Sequence, residues 1–204
     1  DVAAQVRARA SMTTEANGAL MRSSPLGLYG VGMNRTELGA LAARDATLSH
    51  PALACQHANA VFVTTIADAV NGERTGPELF DRALEFARSH APTVVSTLEA
   101  ARLELPVSDG ANQGWVRIAL QHAFFHLLHA REFETALVAT VVKGGDADTN
   151  GCVVGALLGA ALGVDSIPSR WRDTVAKCVS PRPRDYRCDD LDALTQRLVF
   201  MRTA

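Results

Sequence analysis

Apolar residues recur along this chain with the three- and four-residue spacing of amphipathic helices, rather than with the alternation that is typical of strands. Clusters of aromatic and β-branched residues flanked by hairpin turns are missing. The pattern therefore predicts an all-α fold. The predicted helices lie within residues 36–50, 51–72, 76–90, 93–102, 112–130, 132–145, 150–163, 168–179 and 190–201.

Helix-boundary signals define the ends of the first two segments. Thr36 is the predicted N-cap of the first, because a hydroxyl at that position accepts a hydrogen bond from the first turn. Pro51 is predicted in the first turn of the second helix, which should end near Gly72. No repeat or low-complexity segment divides the chain, so the helices are expected to form one bundle.

The composition limits the classes of protein to which the chain can belong. Its 204 residues, of which 48% are hydrophobic, suffice for one well-filled core, so we predict a single domain over residues 1–204. The 20 basic and 22 acidic residues are interspersed and give a net charge of -2. Because no basic face is available to contact phosphates, nucleic acid is not an expected partner.

Cysteine spacing and hydropathy predict a soluble, cytoplasmic protein. Cys55, Cys152, Cys178 and Cys188 show no CxxC spacing, and two of them fall within apolar helical patterns, so all four are expected to be reduced. The N-terminal stretch "DVAAQVRARASM" has arginines where a signal peptide needs an apolar centre. No later stretch is apolar for long enough to span a bilayer, so no membrane interaction is expected.

A stripe of glycines marks the helix predicted at 150–163. Gly151, Gly155, Gly159 and Gly163 follow one another at every fourth residue, although each costs a helix interior about 1 kcal/mol relative to alanine. We therefore predict that a neighbouring helix packs against this stripe at short distance. A ligand lying on the stripe is the alternative.

The loop "KGGDADTNG", residues 143–151, carries the candidate chemistry. Glycine permits positive φ, so Asp146 and Asp148 can turn toward one point, where their repulsion would be relieved by a cation. Carboxylate oxygens together with the Thr149 hydroxyl suit hard ions such as magnesium, calcium or manganese rather than zinc. The alternative is that Asp148 or Thr149 caps the following helix while Asp146 is solvated. Judged on the loop alone, both interpretations stay open.

Several segments of the chain, taken in order, carry a resemblance to a known family. They are "TEANGALMRSSPLGLYG", "DATLSHP", "GWVRIALQHAFFHLLHAREFETALVATVVKGGDADTN", "GGDADTNGCVVGALLGAALG" followed by "IPSRW", and "RPRDYRCDDLDALTQRL". These segments closely resemble the ADP-ribosylglycohydrolase family, of which dinitrogenase reductase-activating glycohydrolase is a member. Agreement in several ordered segments from about Thr14 to the end is far more specific than a lone motif.

The resemblance implies a fold and an activity. The fold would be an all-α orthogonal multi-helix bundle with a cleft that holds two magnesium or manganese ions. The activity would be that of a metal-dependent N-glycosyl or O-glycosyl hydrolase, which removes ADP-ribose from a modified arginine or serine side chain or from a small ADP-ribosyl adduct. The alternative is a catalytically inactive member that binds ADP-ribose or is structural, as in a jellyfish lens crystallin.

The resemblance also implies which residues form the site. In the GGDxDT loop, Asp146, Asp148 and Thr149 fall on the family's metal ligands.

The substrate-binding candidates come from two other segments. The stretch "ANGALMR" is similar to the family's loop around ADP-ribose, so Asn17, Gly18 and Ala19 are the candidates there. His50 falls where the family has a histidine near the substrate. Without the resemblance, Gly18 would be interpreted as part of a plain turn and His50 as a capping or solvated residue.

One part of the family pattern is missing from the chain. The family has an N-terminal Thr-Asp-Asp run of metal ligands, whereas the only Asp-Asp pair here is Asp189 and Asp190, in the C-terminal segment. We therefore expect residues 1–204 to be the C-terminal two-thirds of an ADP-ribosylglycohydrolase domain, with activity that depends on a companion N-terminal fragment. A naturally shortened relative is the alternative. No catalytic acid or base is assigned within this chain.

A histidine cluster offers a competing metal site. His122, His126 and His129 lie at positions i, i+4 and i+7 of one predicted helix, a spacing that can hold zinc. The first and third rings would lie two turns apart, and the glutamate of an HExxH motif is absent. We therefore favour an ordinary, partly exposed helix face. No GxSxG sequence or evident nucleophile with a base is present.

Overall fold

The computed structural model describes residues 2–72, 74–178 and 190–200. In that part of the chain the regular structure is helical, and the only extended pairing is an isolated antiparallel bridge between Ala16 and Trp115. The all-α prediction is confirmed. The α-helices are α1 Val2–Arg9, α2 Ser24–Tyr29, α3 Arg35–Ala46, α4 Leu53–Val70, α5 Gly76–His90, α6 Val95–Ala101, α7 Val116–His129, α8 Phe133–Val142, α9 Ala147–Leu162, α10 Ser169–Ala176 and α11 Leu191–Phe200. Short 3-10 turns lie at Leu20–Arg22, Pro92–Val94 and Val164–Ser166.

Helix α4 lies at the centre of the fold. It contacts α2, α3, α5, α7 and α9, and it is buried over nearly its whole length. Such burial requires that its polar side chains find partners inside the protein. The hydroxyls of Thr64 and Thr65 donate to carbonyls one turn earlier in the same helix, so both residues are buried without an unmet donor.

Helix α5 shows the one-sided pattern of a helix at the edge of the core. Its buried side chains, Leu79, Phe80, Ala83, Leu84, Phe86 and Ala87, lie on one face, and its charged residues lie on the other. A capping box fixes its start: Thr75 accepts from the backbone N–H of Glu78, and the Glu78 carboxylate accepts from the backbone N–H of Thr75.

Helices α7, α8 and α9 follow one another and pack together, with α9 contacting both of the others. Phe124, Leu127, Val154 and Leu157 are buried in the common core. The first turn of α9 and the start of α7 lie near the segment that precedes α2. This arrangement brings three sequence-distant segments to one place.

The roles predicted for Thr36 and Pro51 at the starts of two helices were wrong. The N-cap of α3 is Asn34, whose side-chain oxygen accepts from the backbone N–H groups of Thr36 and Glu37, so Thr36 lies inside the first turn. An amide at Asn34 reaches the same orphan N–H groups that a hydroxyl at Thr36 was expected to serve. Helix α4 has Ala52 at its N-cap, so Pro51 precedes the helix, and α4 ends at Val70.

The glycine stripe of α9 contacts a neighbouring helix, as predicted, but not at short distance. A Cβ added at Gly155 would lie 3.8 Å from both Leu137 and Phe133 of α8, and one added at Gly151 would lie 3.7 Å from Leu137. These are ordinary van der Waals distances. Gly163 follows the helix with φ +81, a conformation that terminates it.

The described residues include three of the four cysteines. Cys55 is buried, Cys152 and Cys178 are exposed, and all three are free thiols. Among residues 2–72, 74–178 and 190–200, no helix combines the length and the apolar character needed to cross a bilayer. The predictions for Cys188 and Asp189 lie outside the described residues.

Candidate functional site

The turn before α9 requires its two glycines. Gly144 and Gly145 have φ values of +79 and +68, which L side chains rarely adopt. At Gly145 an added Cβ would overlap the carbonyl oxygen of Ser108, far inside the 3.0 Å that real Cβ atoms respect. The backbone of the turn therefore packs directly on residue 108, and Asp146 follows at once.

Asp146 occupies the N-cap position of α9 without capping it. Its side chain makes no capping hydrogen bond to a backbone N–H of the first turn; instead its Oδ2 accepts from the side-chain amide Nδ2 of Asn17 at 2.7 Å. The capping alternative assigned the cap to Asp148 or Thr149 and left Asp146 solvated. The structure differs on both points, because a tertiary contact holds the Asp146 carboxylate and the cap position precedes the other two residues.

Asp148 is exposed in the first turn of α9. The backbone N–H of Thr149 donates to its Oδ1 at 2.9 Å, and this bond lowers the pKa of Asp148 below its ordinary value. The neighbouring Asp146 side chain lowers the pKa of Asp148 in the same direction. The Thr149 hydroxyl lies 3.9 Å from the sulfur of Met21, which brings the 3-10 turn Leu20–Arg22 against α9.

The segment around Asn17 is fastened to the start of α7. Asn17 is buried, with 6% of its surface exposed, and its backbone N–H donates to the carbonyl of Gly114 at 3.0 Å. The neighbouring bridge joins Ala16 to Trp115. The site is thus built from residues 16–22, the start of α7 and the start of α9.

Gly18 and His50 lie against each other. A Cβ added at Gly18 would be 2.7 Å from Cε1 of His50, so the ring occupies the space that a side chain would need. His50 Nδ1 lies 3.0 Å from the hydroxyl of Ser49. Burial lowers the pKa of His50, and the positive charge of Arg22 lowers it further, which favours a neutral imidazole at neutral pH.

Ala19 is more deeply buried than the other candidates. Asn17, Gly18, His50, Asp146, Asp148 and Thr149 lie at or beside the meeting point of the three segments, in two contacting groups. Ala19 is fully buried, so its side chain does not reach an accessible surface.

Sequence reasoning did not single out three residues of this region. Gly114 accepts the Asn17 N–H, and a Cβ added there would lie 3.6 Å from Asp146 Oδ2. Met21 contacts Thr149 and, through its carbonyl, the thiol of Cys152. Ser108 supports Gly145. Gly114 and Met21 lie within segments that carry the family resemblance, whereas Ser108 has no signal in the sequence pattern.

The donor set fits a hard cation but offers only part of its coordination shell. Two carboxylates and a hydroxyl are ligands of the type that magnesium and manganese prefer. In the described ranges of the chain, no group of three or more His, Cys, Asp or Glu side chains is arranged to hold a metal. Water, substrate oxygens or ligands outside the described residues would have to fill the other positions.

The three histidines of α7 do not converge. His122 Nε2 lies 2.6 Å from the hydroxyl of Ser108, whereas His129 Nε2 lies 3.0 Å from the carbonyl of Arg102. The rings of His122 and His126 stack with centroids 6.5 Å apart. The zinc alternative is therefore not supported by the geometry. The expected partly exposed face was wrong for His122 and His126, which are both buried.

Comparison with known proteins gives the chain a family. The family model for ADP-ribosylglycohydrolase matches residues 2–203. A protein of Acanthamoeba polyphaga mimivirus described as an ADP-ribosyl glycohydrolase is 38% identical over 77 residues, which are 38% of this chain and 23% of that protein. The ADP-ribosyl-[dinitrogen reductase] glycohydrolase of Rhodospirillum rubrum is 39% identical over 62 residues, which are 30% of this chain and 21% of that protein.

A solved structure, that of an ADP-ribosylglycohydrolase-related protein complex, has the same fold. It superposes with a TM-score of 0.76 at 28% identity over 94% of this chain. The predicted all-α orthogonal bundle of this type is therefore confirmed. The chain covers 62% of the length of that solved chain, and the matched segments are less than a quarter of each curated relative.

Proposed function

The chain belongs to the ADP-ribosylglycohydrolase family, and we propose that it takes part in hydrolysis of the bond between the anomeric ribose carbon of ADP-ribose and an acceptor. The acceptor in this proposal is an arginine or serine side chain of a modified protein, or a small ADP-ribosyl adduct. The Rhodospirillum rubrum relative supports a protein substrate, since its name gives dinitrogen reductase as the ADP-ribosylated protein.

The observation that carries the proposal is the hydrogen bond from Asn17 to Asp146, which joins segments 129 residues apart. Asn17 and Gly18 belong to the stretch expected to contact ADP-ribose, and Asp146 belongs to the loop expected to bind metal. A substrate held at the first stretch would therefore lie beside the carboxylates of the second. Proximity of this kind is what a hydrolytic site requires.

Gly18 and His50 are proposed to hold part of the ADP-ribose. The absence of a side chain at Gly18 makes room for the His50 ring, so Gly18 places the imidazole beside the backbone of this stretch. A neutral imidazole both donates and accepts hydrogen bonds, so His50 suits the hydroxyls of a ribose. Asn17 contributes indirectly, because its amide is engaged with Asp146.

We further propose that Asp146, Asp148 and Thr149 hold magnesium or manganese, as ligands on one side of a two-ion site. When bound, such ions supply positive charge that binds ribose hydroxyls and stabilises negative charge as the glycosidic bond breaks. The Asn17 amide uses one lone pair of Asp146 Oδ2 and orients the carboxylate, leaving the other oxygen as a ligand. The low pKa of Asp148 keeps that carboxylate charged. A companion segment would supply the remaining ligands.

A second candidate function is binding of ADP-ribose without turnover. It is favoured by the small number of ligands: in the part of the chain that the structure describes, no third acidic or histidine side chain joins Asp146 and Asp148. Such a protein would keep the contacts of Gly18 and His50 with the substrate while lacking a complete metal site.

The test is release of free ADP-ribose from ADP-ribosyl-arginine by the protein translated from its complete coding frame, with and without magnesium. Replacing Asp148 by alanine should lower kcat/KM by about two orders of magnitude or more, because a charged group near the reacting centre is lost. Asp165→Ala is the matched control. Asp165 is an exposed aspartate just beyond the opposite end of α9, and its loss should leave the rate within about twofold.

Each outcome separates the alternatives. Undiminished release in the presence of a chelator would contradict the metal role of Asp146 and Asp148. Calorimetric binding of ADP-ribose without any release would replace hydrolysis by the second candidate. Absence of both binding and release would overturn both functions.

A further inference from the structure

A buried hydrogen bond lies directly beneath the glycine turn. Ser108, in the connection between α6 and α7, has 2% of its surface exposed, and His122 of α7 has none. The Ser108 hydroxyl and His122 Nε2 are 2.6 Å apart. Neither residue has a part in the function proposed above. Buried polar groups are tolerated when they are hydrogen-bonded, and a satisfied buried pair of this kind rigidifies the structure around it.

The direction of this hydrogen bond follows from the neighbouring groups. Burial lowers the pKa of His122 to about 4, with smaller contributions from His126 and Lys143, so the ring is neutral at pH 7. The Ser108 hydroxyl also lies 3.3 Å from the carbonyl of Pro106, an acceptor only. Ser108 therefore donates to Pro106 and accepts from His122 Nε2–H.

The same assignment explains the other ring nitrogen. Among the described residues, His122 Nδ1 is buried without a hydrogen-bond partner. An unpaired acceptor is more readily tolerated in a protein interior than an unpaired N–H donor. Nδ1 thus carries no proton. The chain of hydrogen bonds runs from His122 Nε2–H to the Ser108 hydroxyl and from that hydroxyl to the Pro106 carbonyl.

The backbone carbonyl of Ser108 supports the glycine turn. The carbonyl oxygen of Ser108 packs against Cα of Gly145 so closely that no Cβ fits between them. Gly145 is bonded to Asp146, whose carboxylate is held on its other side by Asn17. The position of Asp146 is therefore fixed from two directions, by a side-chain amide and by the backbone of residues 106–108.

We infer that Ser108 and His122 are positioning residues, which hold residues 106–108 as a support for Gly145 and so fix the place of the Asp146 carboxylate. The inference rests on the proposed function for the importance of Asp146, but its geometry does not depend on a metal or on turnover. Ser108 and His122 touch no proposed ligand of the metal or substrate themselves.

The experiment follows the Asn17 side-chain amide by nuclear magnetic resonance in the complete protein without added metal. In the unsubstituted protein, the Nδ2 protons should include one shifted downfield by the hydrogen bond to Asp146. In Ser108→Ala this shift should be lost, and hydrogen exchange at the amides of Gly144 and Asn150, which flank Asp146, should accelerate by about tenfold. His122→Leu should act in the same way.

Two further variants separate positioning from general loss of stability. His122→Gln places an amide near the position of Nε2, so it should restore the Asn17 signal that His122→Leu removes. Thr65→Val is the matched control: it removes a buried hydroxyl that bonds only within α4, and it should leave the Asn17 signal unchanged.

The outcomes distinguish this inference from the proposed function. A folded Ser108→Ala protein with an unchanged Asn17 signal would overturn the inference, even if ADP-ribose release were observed. If Ser108→Ala does not fold, equal Asn17 signals in His122→Leu and His122→Gln would overturn it. Absence of hydrolysis in every variant, together with the expected change in the Asn17 signal, would overturn the proposed function and support the positioning role.

Discussion

The glycine turn, Gly144 and Gly145, and the glycine stripe of α9, Gly151, Gly155 and Gly159, follow one another in the chain but differ in how closely they are packed. In the turn, both residues have positive φ, and one of them touches the backbone of residue 108. In the stripe, the φ values are helical, and an added Cβ would find its neighbours at 3.7 to 4.0 Å.

The difference shows where glycine is required. In the turn, glycine permits both the backbone conformation and the close approach that fixes Asp146, so the constraint leads to the candidate site. In the stripe, α8 covers the helix at a distance at which alanine would also fit. Periodic glycine drew attention in the sequence, yet the two glycines without a period are the constrained ones.

The strongest test of this contrast is Gly145→Ala. The substitution should cost about 3 kcal/mol or more of unfolding free energy, because it adds both a strained φ and an overlap with the Ser108 carbonyl. Release of ADP-ribose should fall with it, since Asp146 is the next residue. Chemical denaturation and the ADP-ribosyl-arginine assay measure the two effects.

Gly144→Ala is the matched control for that variant. Gly144 has a similar φ of +79, but an added Cβ would meet nothing within 4 Å, so only the backbone cost of about 1 kcal/mol should appear. Equal losses of unfolding free energy in the two variants would show that the contact with Ser108 does not constrain residue 145.

A second test uses acid, because the turn rests on a histidine through Ser108, whereas the stripe faces apolar side chains of α8. Burial lowers the pKa of His122 to about 4, against an ordinary value of 6.5 that the unfolded chain retains. Between these pH values the unfolded state binds more protons than the folded state. The contribution of His122 to the free energy of unfolding should therefore be fully present above pH 6.5 and decrease as the pH falls toward 4. His122 alone should contribute a slope of up to about 1.4 kcal/mol per pH unit.

The measurement is the unfolding free energy of the unsubstituted protein and of His122→Gln from pH 7 to pH 4. His126, whose pKa burial also lowers to about 4, should add a second, similar slope that remains in His122→Gln. The control Thr65→Val should lower the whole curve without changing its slope. If the free energy of unfolding depends on pH with the same slope in His122→Gln and in the unsubstituted protein, the conclusion that His122 is buried in its neutral form would be contradicted.

Local structure followed from the sequence more readily than the site did. Each of the nine predicted segments overlaps an observed helix, because apolar spacing encodes a buried face. Helix α9 begins at Ala147 rather than at residue 150, so Asp148 and Thr149, predicted in a loop, lie in its first turn. Helix α1 was missed since it has no buried residue and hence no apolar period, and α2 was missed because six residues are too few to show one. That glycine permits positive φ in the loop 143–151 was also a local property and was predicted, although the two residues that adopt it, Gly144 and Gly145, fell within the helical segment predicted at 132–145.

The contacts that assemble the site are tertiary and could not be predicted from spacing. The hydrogen bond from Asn17 to Asp146 joins residues 129 positions apart, and no pattern in either segment indicates that the two side chains are in contact. The family resemblance assigned both segments to one site but gave no pairing between them. Ser108 lies in an irregular connection whose position depends on His122, and a buried histidine cannot be told from an exposed one by its helical position alone.

The smallest expected effect, and the one of opposite sign, is that of Gly155→Ala in the stripe. Alanine should stabilise the protein by about 0.5–1 kcal/mol, because it favours the helix and its Cβ would meet Leu137 and Phe133 at ordinary contact distance. Thermal unfolding measures the gain. Gly163→Ala is the control, since its φ of +81 should make the same change destabilising. A loss of stability in Gly155→Ala would mean that α8 packs closer than 3.8 Å and that both glycine groups are constrained.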